Sequence, residues 1–159
     1  MLFYIYKIML SILMNFGIIP SMSRKQNKQK KSGNVIIPNN HPNPPTQKEV
    51  DVAVILSSHY QIDIEFIIPV DDYKRKSADI LMFNVAWEIK GPVGNSKSTI
   101  GNQFKFASKQ SKNIVLDTNH TKLDYDFIVK KVQFEIKKRP AIKKVILIDK
   151  SKKVVEFKM

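Results

Sequence analysis

Hydrophobic and polar positions change period several times along the chain, and each change marks an element. Residues 1–20 are nearly continuous in apolar character, broken by Lys7 and Asn15 and followed by the basic run Arg24 to Lys31. Such a segment reads as a membrane helix with a basic cytoplasmic flank, or as a remnant of a longer parent chain. It makes a poor signal peptide, because most of its positive charge follows the apolar run. Residues 21–45 are basic and then rich in Asn and Pro, which reads as a linker. The folded domain is expected over 46–159. Thr46-Gln-Lys-Glu49 is a capping box opening a helix to about Ser58, with Val50, Ala53, Val54 and Ser57 at helical spacing. Ile62 to Ile68 reads as a strand, ended by Pro69 and Asp71-Asp72. Ala78 to Phe83 and Val85 to Lys90 are strand-like and flank Asn84, the one strong turn residue there. Gly91 to Asn95 is a loop, and Ser96 or Ser98 can cap a second helix to about Gln110 through Ile100, Phe104 and Ala107. A short strand over Asn113 to Asp117 follows. A third helix runs from Leu123 to about Lys138, with Phe127, Val132 and Ile136 inward. Strands at Val145 to Ile148 and Val154 to Phe157 close the chain. The order α-β-β-β-α-β-α-β-β predicts an α/β fold with a mixed central sheet flanked by helices.

The hairpin carries the chemistry. A two-residue turn at Phe83-Asn84 pairs Met82 with Val85 and sets Asp79 opposite Glu88. Glu88 and Lys90 are two apart, so they share a face. Asp79, Glu88 and Lys90 then converge on one side, while Ala78, Ile80, Met82, Trp87 and Ile89 line the other. A slip of one residue would separate the two acids. Like charges facing each other destabilise a bare hairpin. A divalent cation reverses that sign, because it takes hard carboxylate oxygens and can stabilise charge on a phosphoryl oxygen. The pattern therefore points to a metal-dependent phosphodiesterase site, although an acid–acid–lysine spacing this short is common in hairpins with a solvated acidic face.

Charge adds a partner class. The formal net charge is +13 over 159 residues, with 27 basic and 14 acidic residues. Six of the basic residues fall in residues 1–45, which hold no acid; the domain that follows is basic in its own right. A basic body suits a polyanion, either nucleic acid or a membrane surface. The absence of cysteine excludes disulfides and thiolate metal sites. His41, His59 and His120 are scattered, and none has ligand spacing.

The stretch Ser77-Ala-Asp-Ile-Leu-Met-Phe-Asn-Val-Ala-Trp-Glu-Ile-Lys-Gly-Pro-Val-Gly94, with Ser98-Thr-Ile-Gly-Asn-Gln103 and Lys109-Gln-Ser-Lys-Asn-Ile-Val-Leu-Asp117 after it, resembles the C-terminal toxin nuclease domain of CdiA contact-dependent growth inhibition proteins. The resemblance covers roughly Thr46 to Met159. It implies a restriction-endonuclease-like, PD-(D/E)xK core. Asp79 matches the first core acid of that pattern, and Glu88 and Lys90 match its (D/E)-x-K pair. Ala78 stands where the pattern often has proline. Glu49 matches a glutamate on the first helix, so the implied catalytic residues are Glu49, Asp79, Glu88 and Lys90. Glu49 is also the third residue of the capping box, a role that explains it without catalysis. Gln103 matches a position that often carries a polar residue. Lys97, Ser98 and Thr99 lie where a helix N-terminus can take phosphate. Lys105 and Lys109 lie one turn apart, as backbone contacts do.

What the resemblance implies is a metal-dependent nuclease toxin domain acting on tRNA. Glu49, Asp79 and Glu88 would hold Mg²⁺, with Mn²⁺ or Zn²⁺ as substitutes. Lys97, Ser98, Thr99, Gln103, Lys105 and Lys109 would contact nucleic acid. A cognate immunity protein and delivery into a target-cell cytoplasm are implied with it. The alternatives are a DNA endonuclease on the same site, or a non-catalytic, membrane-tethered basic module that binds nucleic acid or lipid through residues 1–31. Membrane contact by residues 1–20 belongs to the second of these.

Overall fold

The computed structural model describes residues 33–69 and 77–158. The apolar segment 1–20, linker residues 21–32, Asp71-Asp72 and the run Lys74 to Lys76 lie outside the described residues. Among those described, no helix is long and apolar enough to cross a membrane.

Seven strands form one mixed sheet whose spatial order follows the chain. They are β1 (Val35–Ile36), β2 (Ile64–Phe66), β3 (Ile80–Met82), β4 (Val85–Lys90), β5 (Asn113–Asp117), β6 (Lys144–Ile148) and β7 (Val154–Lys158). The helices are α1 (Gln47–Tyr60), α2 (Thr99–Ala107) and α3 (Tyr125–Lys138). Strands β4, β5 and β6 run parallel, because each connection is a helical crossover. The β2–β3, β3–β4 and β6–β7 pairs are antiparallel.

Side-chain alternation divides the core in two. Val52, Ala53 and Leu56 of α1 pack on Ile80, Met82, Trp87, Ile89, Val115, Ile146 and Ile148. On the opposite face, α2 and α3 bring Ile100, Phe104, Ala107, Ile128, Val132 and Ile136 onto Ile114, Leu116, Val145 and Leu147. Burial on both faces explains why β5 and β6 read as unbroken apolar runs. The inward face of α1 differs from the expected set: Val54 is 51% exposed, while Val52 and Leu56 are buried.

Helix α1 begins at the capping box. Thr46 accepts from the Glu49 N–H at 3.4 Å, and Glu49 Oε2 accepts from the Thr46 N–H at 2.7 Å. It stops at Gln61, whose left-handed backbone closes the C-terminus. Helix α3 starts two residues later than expected, because Asp124 takes the N-cap position and accepts from the Asp126 and Phe127 N–H groups. Helix α2 ends at Ala107, and turns carry the chain on to Gln110. Strand β2 is shorter than the apolar run 62–68 that announced it.

Strand β1 lies inside the stretch that reads as a linker. It pairs in parallel with β2, Val35 with Ile64. Gly33 makes the approach possible: a Cβ there would meet the Ile62 carbonyl oxygen at 1.8 Å. Asp63 holds the same strand through the Asn34 N–H at 2.8 Å, and His41 Nε2 lies 3.1 Å from the Ile67 carbonyl oxygen. The described sheet therefore takes in residues 35–36, ahead of the expected start at residue 46.

Candidate active site

The β3–β4 hairpin has the register that the sequence predicts. Met82 pairs with Val85 and Ile80 with Trp87 across a turn at Phe83 and Asn84. Both turn residues have positive φ, 55° and 57°, the type I′ geometry that matches strand twist. The Trp87 indole N–H donates to the Met82 carbonyl at 3.2 Å and fastens the hairpin on its apolar side. Regular pairing stops at Ile80. Beyond it, the Asp79 N–H donates to the Trp87 carbonyl at 3.0 Å, and the Ile89 N–H donates to Asp79 Oδ2 at 2.6 Å. The Asp79 side chain thus extends the ladder and is itself held against β4.

Glu88 faces the α2–α3 side and is 1% exposed. Its Oε1 is ion-paired with Lys90 Nζ and accepts from Gln110 Nε2 at 2.5 Å. Its Oε2 is buried with no donor. Gln110 is brought there by the turn after α2, which is clamped to β4: Ser111 Oγ and Asn113 Nδ2 both donate to the Ala86 carbonyl, at 2.8 and 3.2 Å. Sequence reading placed Gln110 only at a helix end. The signal available was a polar run, Gln110 to Asn113, directly before a buried strand.

Burial pushes the Glu88 carboxyl up to about 7, with the Asp79 charge adding to it and Lys90 opposing it. Burial also raises Asp79; the Ile89 N–H and Lys90 hold it down, and Glu49 pushes it up again. With both acids ionised, Glu88 Oε2 lacks a hydrogen-bond donor; a proton retained on Glu88 would let that carboxyl donate to Asp79 instead. A divalent cation would satisfy the same oxygen. An orphaned carboxylate oxygen beside a second, half-buried carboxyl is a donor set that fits Mg²⁺ or Mn²⁺.

The structure brings Asp79, Glu88 and Lys90 together. Glu49 acts on Asp79 through its charge, yet its carboxylate is turned to Thr46, accepting from both the N–H and the hydroxyl of that residue. Among the described residues, no three acid or histidine side chains are grouped closely enough to hold a metal by themselves. Lys97 and Ser98 are exposed in the loop after β4, and Thr99 opens α2 half-buried. Ser98 sits at the N-cap position without capping; its hydroxyl lies 2.9 Å from that of Ser96. Gln103 is half-buried on α2, and Lys105 and Lys109 are exposed toward its far end. None of these six hydrogen-bonds to the acid pair. Asp117 ends β5 and receives the Asn119 N–H and side-chain amide in a short turn.

Fold and site together define a mixed α/β domain with a buried glutamate, a half-buried aspartate and a lysine on the central hairpin. Residues 76–154 match the family of contact-dependent growth inhibition CdiA C-terminal domains, and the chain carries a domain of that family. A solved structure, a CdiA-CT/CdiI toxin and immunity complex from Burkholderia pseudomallei, is similar over 80% of this chain and 100% of its own, at 18% identity and a TM-score of 0.52. That likeness is one of fold. No curated protein matches the sequence.

Proposed function

We propose that this domain is a metal-dependent nuclease toxin that hydrolyses phosphodiester bonds in tRNA. The observation that carries the reading is Glu88 Oε2: a buried, donorless carboxylate oxygen beside Asp79, on a face shared with Lys90. Asp79 and Glu88 would hold the cation. Bound there, a divalent cation lowers the pKa of water and stabilises charge on phosphoryl oxygen. Asp79 Oδ2 is committed to the Ile89 N–H, so its second oxygen is the one left to bind. Gln110 and Lys90 fix Glu88 by the other oxygen, which leaves Oε2 toward Asp79. Lys90, with its side chain 21% exposed, is placed to meet the negative charge of a phosphate at the surface. Glu49 would complete the set only by leaving its cap, a rearrangement costing about 1 kcal/mol of helix stability.

The same reading includes a cognate immunity protein as partner and delivery into a target-cell cytoplasm as the setting. The family match and the toxin and immunity complex on a similar fold support both. A purely binding module has little use for two adjoining carboxyls, Asp79 and Glu88, beside a polyanion, since they would repel it. The test is incubation of the full chain with total tRNA and with plasmid DNA, in Mg²⁺ or in EDTA. Cleavage of tRNA in Mg²⁺ alone is expected, and Glu88→Gln should abolish it. Preferential cleavage of plasmid would move the substrate to DNA. No cleavage of either, or full activity in Glu88→Gln, would overturn the assignment.

A further inference from the structure

Strand β4 ends at Lys90, paired with Leu116 of β5, so the two strands deliver Gly91 and Asp117 side by side. A Cβ on Gly91 would lie 4.0 Å from the Asp117 carbonyl oxygen. Past that point a groove of about 420 Å³ opens between α1 and the β6–β7 turn. One wall is a single face of α1, carrying Lys48 and Ile55 one helical repeat of seven apart. The opposite wall is Asn119 and His120 after β5, and Lys152 at the turn. The groove therefore lies at the carboxyl end of the parallel strands, on the α1 face of the sheet. Open α/β sheets bind their ligands at that end.

Its lining carries two lysines, Lys48 and Lys152, and two acids, Asp51 and Asp117. Asp51 accepts from Gln47 at 2.8 Å, and Asp117 is taken up by the Asn119 turn. Among the described residues, neither Lys48 nor Lys152 pairs with a carboxylate. Each acid thus has one oxygen engaged by an amide, while the two lysines are exposed. Val54 adds an exposed apolar surface on the same rim, and His120 an exposed ring. Asn119, having given an N–H to Asp117, keeps its amide oxygen for a base edge. Cations, a stacking ring and one amide are what a single unpaired nucleotide needs.

We infer that this groove is a subsite for the nucleotide flanking the scissile phosphodiester, with its phosphate between Lys48 and Lys152 and its base against His120 and Asn119. The inference rests on the nuclease reading for its substrate, and it assigns recognition to α1 and the β6–β7 turn instead of α2. Unpaired bases in a loop or at a strand end fit it; a continuous duplex does not, because its bases are stacked inward.

Two measurements test it. The first is a titration of the ¹⁵N-labelled full chain with the 5′-phosphorylated dinucleotide pUpU in EDTA. The second is steady-state cleavage of tRNA in Mg²⁺. Saturable shifts of the Lys48, Asn119 and His120 amides are expected, and they should vanish in Lys48→Gln/Lys152→Gln. That double variant should raise the half-saturating tRNA concentration roughly tenfold while kcat stays within about twofold, as loss of phosphate contacts predicts. Lys137→Gln/Lys138→Gln, a pair of exposed lysines at the end of α3, should change neither readout. An absence of shifts at those amides, or unchanged half-saturation in the double variant of an active enzyme, would overturn the subsite and leave the nuclease reading intact. Saturable shifts with no cleavage of any substrate would support the subsite and overturn the nuclease reading.

Discussion

In the proposed function, Glu88 sets stability against chemistry in one side chain. Its carboxyl sits at about 7 in the fold against an ordinary 4.5, so the native state holds a proton that the unfolded chain has released between those values. Stability is therefore highest below about pH 4.5 with respect to this group and falls as pH rises toward 7, by roughly 3 kcal/mol in total. Asp79, raised in the same direction, steepens the fall. Urea titrations at pH 5 and pH 8 should show the loss, and Glu88→Gln should flatten it. Mg²⁺ or Mn²⁺ should raise Tm more at pH 8 than at pH 5, because the cation competes with the proton for the same oxygens. Gln110 belongs to the same balance. Gln110→Ala leaves Glu88 Oε1 with Lys90 alone, and tRNA cleavage should drop by about tenfold or more, as when a partner orienting a metal ligand is lost. Far-UV circular dichroism should stay that of the native protein.

At the scale of elements, the β3–β4 turn fixes the site. Phe83 and Asn84 both occupy the left-handed region, which non-glycine residues enter at some cost. Asn tolerates it, and the Phe83 ring is compensated by an edge contact with Tyr60, centroids 5.1 Å apart. Asn84→Val should cost about 1–2 kcal/mol, since a β-branched residue has no easy place at positive φ. Chemical denaturation would measure the cost. Cleavage should fall with it, because the register that sets Asp79 beside Glu88 depends on this turn. The hairpin register was legible beforehand from a single Asn between two apolar runs. The α1 cap was equally legible, since Thr46 and Glu49 declare it by spacing. What spacing did not reveal is that this cap holds the Glu49 carboxylate away from the acid pair. A glutamate three residues after a threonine carries the same signature whether or not it also reaches a metal.

Across the whole molecule, the sheet is completed by a strand drawn from the linker. Deletion of residues 1–32 should leave the fold and cleavage intact. Deletion of residues 1–45 removes β1 and exposes the edge of β2, the last strand before the hairpin. The longer deletion should lower the thermal midpoint by several degrees relative to the shorter one, as expected for a loss of about 1–2 kcal/mol. A second long-range device joins α2 to α3. Glu135, buried to 2% exposure, pairs with Lys131 at 3.0 Å and with Arg139, and Arg139 reaches the Gly101 carbonyl. Gly101 leaves room for it: a Cβ there would stand 2.9 Å from Glu135 Oε1. These contacts set α2, and through its C-terminal turn Gln110, against the acid site.

Period and capping made most of this domain readable in advance. Alternation in the hairpin, helical spacing in α2 and α3, and unbroken apolar runs in β5 and β6 reflect local geometry and burial, which neighbouring residues carry between them. Strand β1 could not be read, because two residues among Asn and Pro have no period, and their pairing depends on Ile64 nearly thirty positions away. Gln110 and the groove at Asn119 and His120 escaped for the same reason. Each is defined by what packs opposite it, and the chain brings those partners together only when the parallel strands align their carboxyl ends.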